Sequence, residues 1–260
     1  MPFRIFKSKN RAAAFAVMMI VPAAMFAMFF FLSLFIQQVV GYSPLTTGVA
    51  FLPFSIAMII SATTASKLIS HVDPRYLSGI GTLLSAAALY GFSRITVPED
   101  PASLLAIQSG TPLGDGVDYW TQILPFVVLM AFGMGLNFVP LTLVAVHHLR
   151  AQDTGIGSGV LNTMQQVGGA LGLATLSTVS LHFAQSRADE IAPALSAAAP
   201  GIDPAALEQL TMLGSFTEGA TMAFFTGSIM MLAASAIVWI FLDVKHEEMA
   251  TDEVPEGVIV

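Results

Sequence analysis

Long uncharged stretches dominate the pattern of hydrophobic and polar positions in this chain. Residues 12–66 include no Asp, Glu, Lys, Arg or His. A hydrocarbon core about 30 Å thick requires roughly 20 apolar residues per helix, so this stretch predicts two membrane spans joined by a short turn. Four further uncharged runs cover residues 76–93, 119–146, 154–181 and 219–242. Each is near or above the length that crosses a bilayer as a helix.

These runs predict an all-α membrane protein with six transmembrane helices. The expected spans are 12–36, 46–66, 76–92, 121–146, 154–181 and 219–242. A basic lead-in (1–11) precedes the bundle, and an acidic tail (243–260), expected to be disordered, follows it. Continuous apolar runs exclude the short alternating strands of a membrane β-barrel. Residues 184–218 are predicted to form short surface helices broken at Pro200-Gly201 and at Pro204.

Six helices with both ends on one side of the membrane can divide into two triplets of opposite orientation, as transporter repeats do. We therefore expect a 3+3 inverted-repeat bundle. Thr47-Gly48-Val49 opens the second span and Thr154-Gly155-Ile156 opens the fifth, and this echo favours the repeat. Three residues are weak evidence, so an arrangement without internal symmetry is left open.

The distribution of Lys and Arg predicts the orientation. With a cytoplasmic N-terminus, eight of the ten basic residues fall on the inner side, and only Arg94 and Arg187 fall on the outer side. Because Lys and Arg resist translocation, we expect both termini in the cytoplasm and a multi-pass protein of the bacterial inner (plasma) membrane. The net charge of −7 comes largely from the predicted outer loops and the tail and says little about nucleic acid, but the lack of a basic patch predicts no nucleic-acid partner. The lack of cysteine excludes disulfides and thiolate metal sites.

Polar side chains inside the apolar spans are the candidate functional residues. Asn162 and Gln166 are four positions apart on the fifth span and therefore share a face, with Gln165 beside them. Gln166 lies roughly 16 Å from the helix start, near the middle of the bilayer. We predict that such amides line a substrate cavity or gate, and hydrogen bonding between helices is the alternative. The predicted set is Asn137 (on the fourth span), Asn162, Gln165 and Gln166.

Two glycine pairs with GxxxG spacing lie on the fifth span. They are Gly155 with Gly159, and Gly168 with Gly172. This spacing removes side chains from one face and lets a second helix approach closely. Both pairs are therefore predicted to pack against a neighbouring helix, and sliding between helices during transport is the functional alternative.

The spans do not assemble a catalytic or metal-binding group. Ser158 and His182 are separated by roughly 36 Å along one helix, so they cannot exchange a proton. His147 and His148 are adjacent and point in different directions, which is unfavourable for a shared metal ion. None of the six spans contains Asp, Glu, Lys or Arg, although a proton-driven carrier ordinarily needs an ionisable group at that depth. We predict no enzymatic activity, no metal and no cofactor.

Three segments resemble the major facilitator superfamily, and two of them its fourteen-helix drug:proton antiporter branch. Gln37-Gln38-Val39-Val40-Gly41-Tyr42-Ser43-Pro44-Leu45, followed by Gly48 and Leu52-Pro53, resembles that branch's external turn and following helix. Gly157 to Gly172, with Asn162, Gln166 and Gly168, resembles its penultimate helix. The inner-loop residues Asp73 and Arg75, around Pro74, are similar to the degenerate second copy of the superfamily's loop motif. Gln165 stands where the family usually has Arg, which speaks against a charge relay at that position.

The resemblance covers nearly the whole chain and corresponds to the last six of fourteen helices. It implies the C-terminal half of a secondary active exporter of drugs or amphipathic metabolites, which works by proton antiport and alternating access. An N-terminal half, in the same or a separate chain, would supply the proton coupling that these spans lack. The implied partners are the lipid bilayer, that half, protons through it and a small amphipathic substrate. The alternative is a stand-alone six-helix membrane subunit without transport activity.

Overall fold

The computed structural model describes residues 8–98, 100–110, 112–147, 149 and 154–247. Residues 1–7 of the predicted lead-in and residues 248–260 of the predicted tail, with its expected disorder, lie outside the described residues. His148 and Arg150 of the inner loop also lie outside them. In the described part of the chain, every regular element is helical.

Eight α-helices follow one another along the described residues. They are α1 (Lys9–Leu34), α2 (Pro44–Ala50), α3 (Leu52–Leu68), α4 (Pro74–Phe92), α5 (Pro101–Ala106), α6 (Leu124–Val146), α7 (Thr154–Ala198) and α8 (Pro204–Phe241). A π-helical turn (Phe35–Val39) extends α1, and a second one (Tyr119–Ile123) precedes α6. Leaving aside the short α2 and α5, the helices are 17 to 45 residues long.

Proline marks the start of several helices. α2, α4, α5 and α8 each begin at a proline, whose fixed φ suits the first helical turn and whose missing N–H is not needed there. The preceding residue caps two of them. Ser43 Oγ accepts the Thr46 N–H at 3.1 Å, and a carboxylate oxygen of Asp100 accepts the Ser103 N–H at 3.1 Å. These signals set where the chain enters a helix after each loop.

Five helical segments are long and apolar enough to cross a membrane by length and composition. They are Lys9–Val39, Pro44–Leu68, Tyr119–Val146, Thr154–Ala198 and Pro204–Phe241. The predicted third span corresponds to α4, which is not among them because Arg75 and several glycine, serine and threonine residues lower its mean hydropathy. α4 packs along α6 and α8, as a member of the same bundle.

α1 and α6 form the centre of this bundle. α1 packs against α6, α7 and α8, and α6 also packs against α3 and α4. In the most apolar part of the segments containing α1 and α6, 61% and 56% of the residues are buried. The corresponding share is 28% for both the α2–α3 segment and α7. These last two are therefore edge helices with large exposed faces.

The region after the predicted fifth span differs from the expected short surface helices. α7 continues without a break to Ala198, which makes it about 68 Å long at 1.5 Å per residue. The chain turns at Gly201, whose φ of +89° favours glycine, and α8 begins at Pro204. Ile191 and Leu195 are buried in the resulting hairpin, so packing between α7 and α8 extends both helices beyond their apolar runs.

Candidate transport face on helix α7

The first half of α7 presents a polar face. Ser158, Asn162 and Gln166 follow one another at four-residue intervals, and all three are exposed. The exposed face of α8 is different, because it carries large apolar side chains. These include Phe225, Ile229, Leu232 and Ile240. Among the described residues of the predicted spans, the exposed side-chain amides both lie on α7.

Asn162 and Gln166 have unsatisfied amide groups. Within the described part of the chain, neither side chain makes a hydrogen bond to another residue. Thr163 differs, since its hydroxyl donates to the Gly159 carbonyl at 2.8 Å. A primary amide has two N–H donors and a carbonyl acceptor, and leaving these groups in hydrocarbon is costly. This face is suited to water, a polar ligand or another polypeptide rather than to lipid.

Gln165 lies on a different side of the helix. It is half-buried, and its Nε2 is 3.9 Å from the Met18 Sδ of α1, a weak acceptor. Consecutive residues of an α-helix are rotated by about 100°, so Gln165 turns toward α1 while Gln166 stays exposed. Gln165 therefore belongs to the contact between α1 and α7.

Asn137 is apart from the other three amides. It is fully buried in α6, and its Nδ2 donates to the Gly133 carbonyl of the same helix at 2.8 Å. A Cβ added at Gly81 of α4 would lie 3.1 Å from the Asn137 Cγ. The Asn137 Oδ1 has no hydrogen-bond partner among the described residues. The structure thus places Asn137 in the contact between α4 and α6, and the four amides do not form one site.

The two glycine pairs of α7 have different surroundings. A Cβ added at Gly168 would overlap the Met19 carbonyl oxygen, and one added at Gly172 would overlap the Ala23 Cβ, so this pair lies directly on α1. At Gly155 and Gly159, an added Cβ would meet no atom within 4 Å among the described residues beyond the adjacent turns of the same helix. The Gly155–Gly159 pair is therefore open and lies on the same exposed side of α7 as Asn162.

The predicted inner-loop residues Asp73 and Arg75 contact the end of α8. The Arg75 Nη2 donates to the Trp239 carbonyl, and the Arg75 Cζ lies 5.6 Å from the centroid of the Trp239 ring. Asp73 Oδ1 accepts the His246 backbone N–H at 2.8 Å and lies 2.7 Å from the His246 Nδ1. These backbone and side-chain hydrogen bonds lower the pKa of the Asp73 carboxyl.

No sequence motif predicts Trp239 or His246 as partners of the inner loop. They are separated from Arg75 and Asp73 by 164 and 173 positions, respectively. The one available signal is that tryptophan is enriched where a span meets the membrane interface. A further contact joins the start of α1 to the end of α8, because Asn10 and Asp243 exchange hydrogen bonds of 3.0 and 2.9 Å.

The sequence can be compared with known proteins on this basis. Residues 1–173 match the family described as Major Facilitator Superfamily. The chain belongs to the major facilitator superfamily. The resemblance predicted from its motifs is confirmed at the level of the superfamily. Superfamily membership and the apolar helical segments make it a multi-pass membrane protein of a family of transporters, not of enzymes.

Several curated relatives of this superfamily protein are named for drug resistance or export. It is 32% identical to the puromycin resistance protein pur8 of Streptomyces alboniger, over 97% of this chain and 44% of that protein. It is 27% identical to the tetracenomycin C resistance and export protein of Streptomyces glaucescens, over 98% of this chain and 48% of that protein. It is 32% identical to the cephamycin export protein CmcT of Amycolatopsis lactamdurans, over 63% of this chain and 30% of that protein. The chain therefore spans less than half the length of these relatives.

Proposed function

We propose that the chain is the C-terminal six-helix half of a secondary exporter of drugs or amphipathic metabolites. It forms one wall of a central cavity and works by alternating access with an N-terminal half. The observation that carries the proposal is the face of α7, where unsatisfied amides at Asn162 and Gln166 adjoin the open glycines 155 and 159. A face of this kind is unfavourable in lipid and favourable against water or a second helix.

Two of the main helix contacts support an inverted repeat, whereas the α7–α8 contact has no extensive counterpart between α3 and α4. Exchanging α1 with α6, α3 with α7 and α4 with α8 converts the α1–α7 contact into the α6–α3 contact, and the α4–α6 contact into the α8–α1 contact. The segments exchanged in this way are also buried to similar extents, at 61% and 56% for the central pair and 28% each for the edge pair. This pattern fits two triplets of opposite orientation. It makes α3 and α7 equivalent edges that are available to the other half.

Proton coupling is assigned to the other half. The predicted spans contain no Asp, Glu, Lys or Arg, and an ionisable group within the membrane is what a proton-driven step requires. The inner side carries most of the Lys and Arg, which supports cytoplasmic termini. The substrate class follows the names of the relatives, which refer to puromycin, tetracenomycin C and cephamycin.

A vesicle assay tests the need for a second half. The purified chain is reconstituted alone into proteoliposomes with an amphipathic fluorescent dye and an imposed proton gradient. We expect no dye export above that of empty liposomes. Export that collapses with the proton gradient would contradict the proposal. The gene neighbourhood is a second check: an upstream reading frame with eight apolar helices supports a split exporter, and an isolated gene favours the stand-alone subunit.

Cysteine labelling tests the α7 face directly. The chain has no cysteine, so single cysteines can be introduced without removing any. In membranes of the encoding organism, we expect a water-soluble maleimide to label Asn162→Cys and Gln166→Cys, and an amphipathic substrate to slow that labelling. Ile229→Cys on the apolar face of α8 is the exposed control, and the fully buried Leu176→Cys is the buried control. Labelling at position 162 no faster than at position 229 would contradict a water-filled cavity.

A further inference from the structure

The C-terminal end of α4, the segment 93–97 that follows it and the middle of α8 line an open pocket of about 470 Å³. Its lining combines aromatic, charged and hydroxyl side chains. They include Tyr90, Arg94, Thr217, Glu218, Met222 and Phe225. The two walls are held together, because Ser228 Oγ donates to the Ala86 carbonyl at 2.9 Å and the rings of Phe92 and Phe224 lie 5.4 Å apart.

One cationic and one anionic side chain line the pocket, and they do not form an ion pair with each other. Neither Arg94 nor Glu218 forms an ion pair with a described residue. Arg94 is exposed and Glu218 is half-buried, so both can reach a ligand in the pocket. Opposite charges that line one small pocket without pairing favour a ligand that carries both charges.

A second and independent observation is a buried hydroxyl. Thr217 lines the pocket and is only 2% exposed, and its Oγ1 has no hydrogen-bond partner in the part of the chain that the structure describes. A buried hydroxyl without a partner is unfavourable, so a rotation of the Thr217 side chain that brings this hydroxyl to a ligand in the pocket would be stabilising.

The position of the pocket indicates where such a ligand comes from. Arg94 directly follows the uncharged run 76–93, and Glu218 directly precedes the uncharged run 219–242. Both therefore lie at one edge of the hydrocarbon region, at the depth of lipid headgroups. Below them, α4 and α8 expose apolar side chains in continuous stripes. These are Ile80, Leu83 and Tyr90 on α4, and Phe225, Ile229 and Leu232 on α8.

We propose that this pocket binds a zwitterionic phospholipid with a primary ammonium headgroup. The Arg94 guanidinium binds the phosphate, the Glu218 carboxylate accepts hydrogen bonds from the ammonium, and the Thr217 hydroxyl donates to a phosphate or ester oxygen. The acyl chains lie along the apolar stripes of α4 and α8. Glu218 disfavours an anionic headgroup, and a quaternary choline offers it no N–H donor. The site depends on the chain being a membrane protein and not on the proposed transport activity.

Lipid competition on the purified full chain tests this site. The chain in detergent is incubated with equimolar phosphatidylethanolamine, phosphatidylglycerol and phosphatidylcholine, and retained lipid is counted by native mass spectrometry. We expect phosphatidylethanolamine to be retained about threefold more than either competitor. Glu218→Gln is expected to abolish the preference over phosphatidylglycerol. Glu208→Gln, an exposed carboxylate of the same helix outside this pocket, is expected to keep it.

Further variants keep the test decisive if one charge variant fails to fold. Thr217→Val has nearly the same shape, and we expect it to lower phosphatidylethanolamine retention about threefold. Equal retention of the three lipids by the unaltered chain would overturn the proposal, as would equal effects of Glu218→Gln and Glu208→Gln. Soluble glycerophosphoethanolamine, which has the headgroup without acyl chains, is expected not to displace the lipid at equal concentration. Displacement would overturn the assignment to a lipid.

Discussion

Gly168 of α7 lies directly on the backbone of Met19 of α1, and an added Cβ would overlap the Met19 carbonyl oxygen. One helical turn further along α7, Gly172 lies against Ala23 in the same way. The two helices thus pack closely, with backbone against backbone at Gly168 and only the Ala23 methyl group between them at Gly172. This contact fixes the rotation of α7 and so determines that Asn162 and Gln166 stay exposed.

Substitution by alanine should destabilise the chain at one of the two GxxxG pairs and not at the other. We expect Gly168→Ala and Gly172→Ala each to destabilise the folded chain by about 1–3 kcal/mol, because the added methyl group overpacks the α1–α7 contact. Gly155→Ala and Gly159→Ala are the matched controls, since an added Cβ meets no described atom there. Thermal unfolding of the purified chain in detergent measures the difference. Equal losses at all four positions would refute the distinction.

The contact between Arg75 and Trp239 should stabilise the end of the bundle where α4 begins and α8 ends. Trp239→Ala removes the cation–π contact and the edge-on packing with Tyr76, whose ring lies 5.7 Å away. We expect a loss of about 1–3 kcal/mol in unfolding free energy, from the cation–π contact and the lost aromatic packing together. Trp239→Phe retains a ring and should lose less. Trp120, which is exposed and whose ring also lies edge-on to that of Tyr119, provides the control substitution, and Trp120→Ala should lower the unfolding midpoint less than Trp239→Ala does.

Acidification should weaken the contact between Asp73 and His246. Hydrogen bonds from His246 lower the pKa of Asp73 from its ordinary value of 3.8, so the folded chain binds this proton more weakly than the unfolded chain does. The resulting stabilisation is present above that ordinary value and is lost as the pH falls through the lowered one. We expect unaltered protein to be more stable than Asp73→Asn at neutral pH and the gap to close in acid.

Unfolding midpoints of the two proteins, measured from pH 7 to pH values below 3.8, provide the readout for this contact. Asp115→Asn, at an exposed position of the loop before α6, controls for the general loss of negative charge. A gap between Asp73→Asn and the unaltered chain that stays constant over this range would show that the carboxylate charge does not contribute.

Local patterns predict the helices and their faces better than the contacts between helices. The uncharged runs indicate where the long helices lie, and the four-residue spacing of Asn162 and Gln166 predicts the face that they share. The same spacing does not identify the neighbour of each face, which is why Gly155-x-x-x-Gly159 and Gly168-x-x-x-Gly172 look alike in sequence and differ in the structure.

Two other features depend on information that hydropathy does not contain. Helix α7 continues past residue 181 because Ile191 and Leu195 are buried in the hairpin, although Arg187, Asp189 and Glu190 precede them. The contacts of Asp73 and Arg75 join residues more than 160 positions apart, and only the folded bundle brings them together. The extent of α7 and the partners of Asp73 and Arg75 therefore depend on burial and long-range contacts, which the periodicity of the sequence does not predict.

Asn137 allows a direct test of whether a predicted cavity residue packs between helices or lines a cavity. Its side chain is fully buried beside Gly81, and its Oδ1 has no partner among the described residues. Asn137→Leu should destabilise the chain by about 1–3 kcal/mol, because a branched side chain overpacks the α4–α6 contact. Asn137→Ala should change the unfolding free energy by less than about 1 kcal/mol, because removing the unpaired oxygen offsets part of the lost packing. Thermal unfolding in detergent measures both changes in stability. Asn162→Leu on the exposed face is the control that is expected to retain stability. If Asn137→Leu is as stable as that control, or if a cysteine at position 137 reacts with a water-soluble maleimide as fast as one at position 162, then Asn137 lines a hydrated space rather than a helix contact.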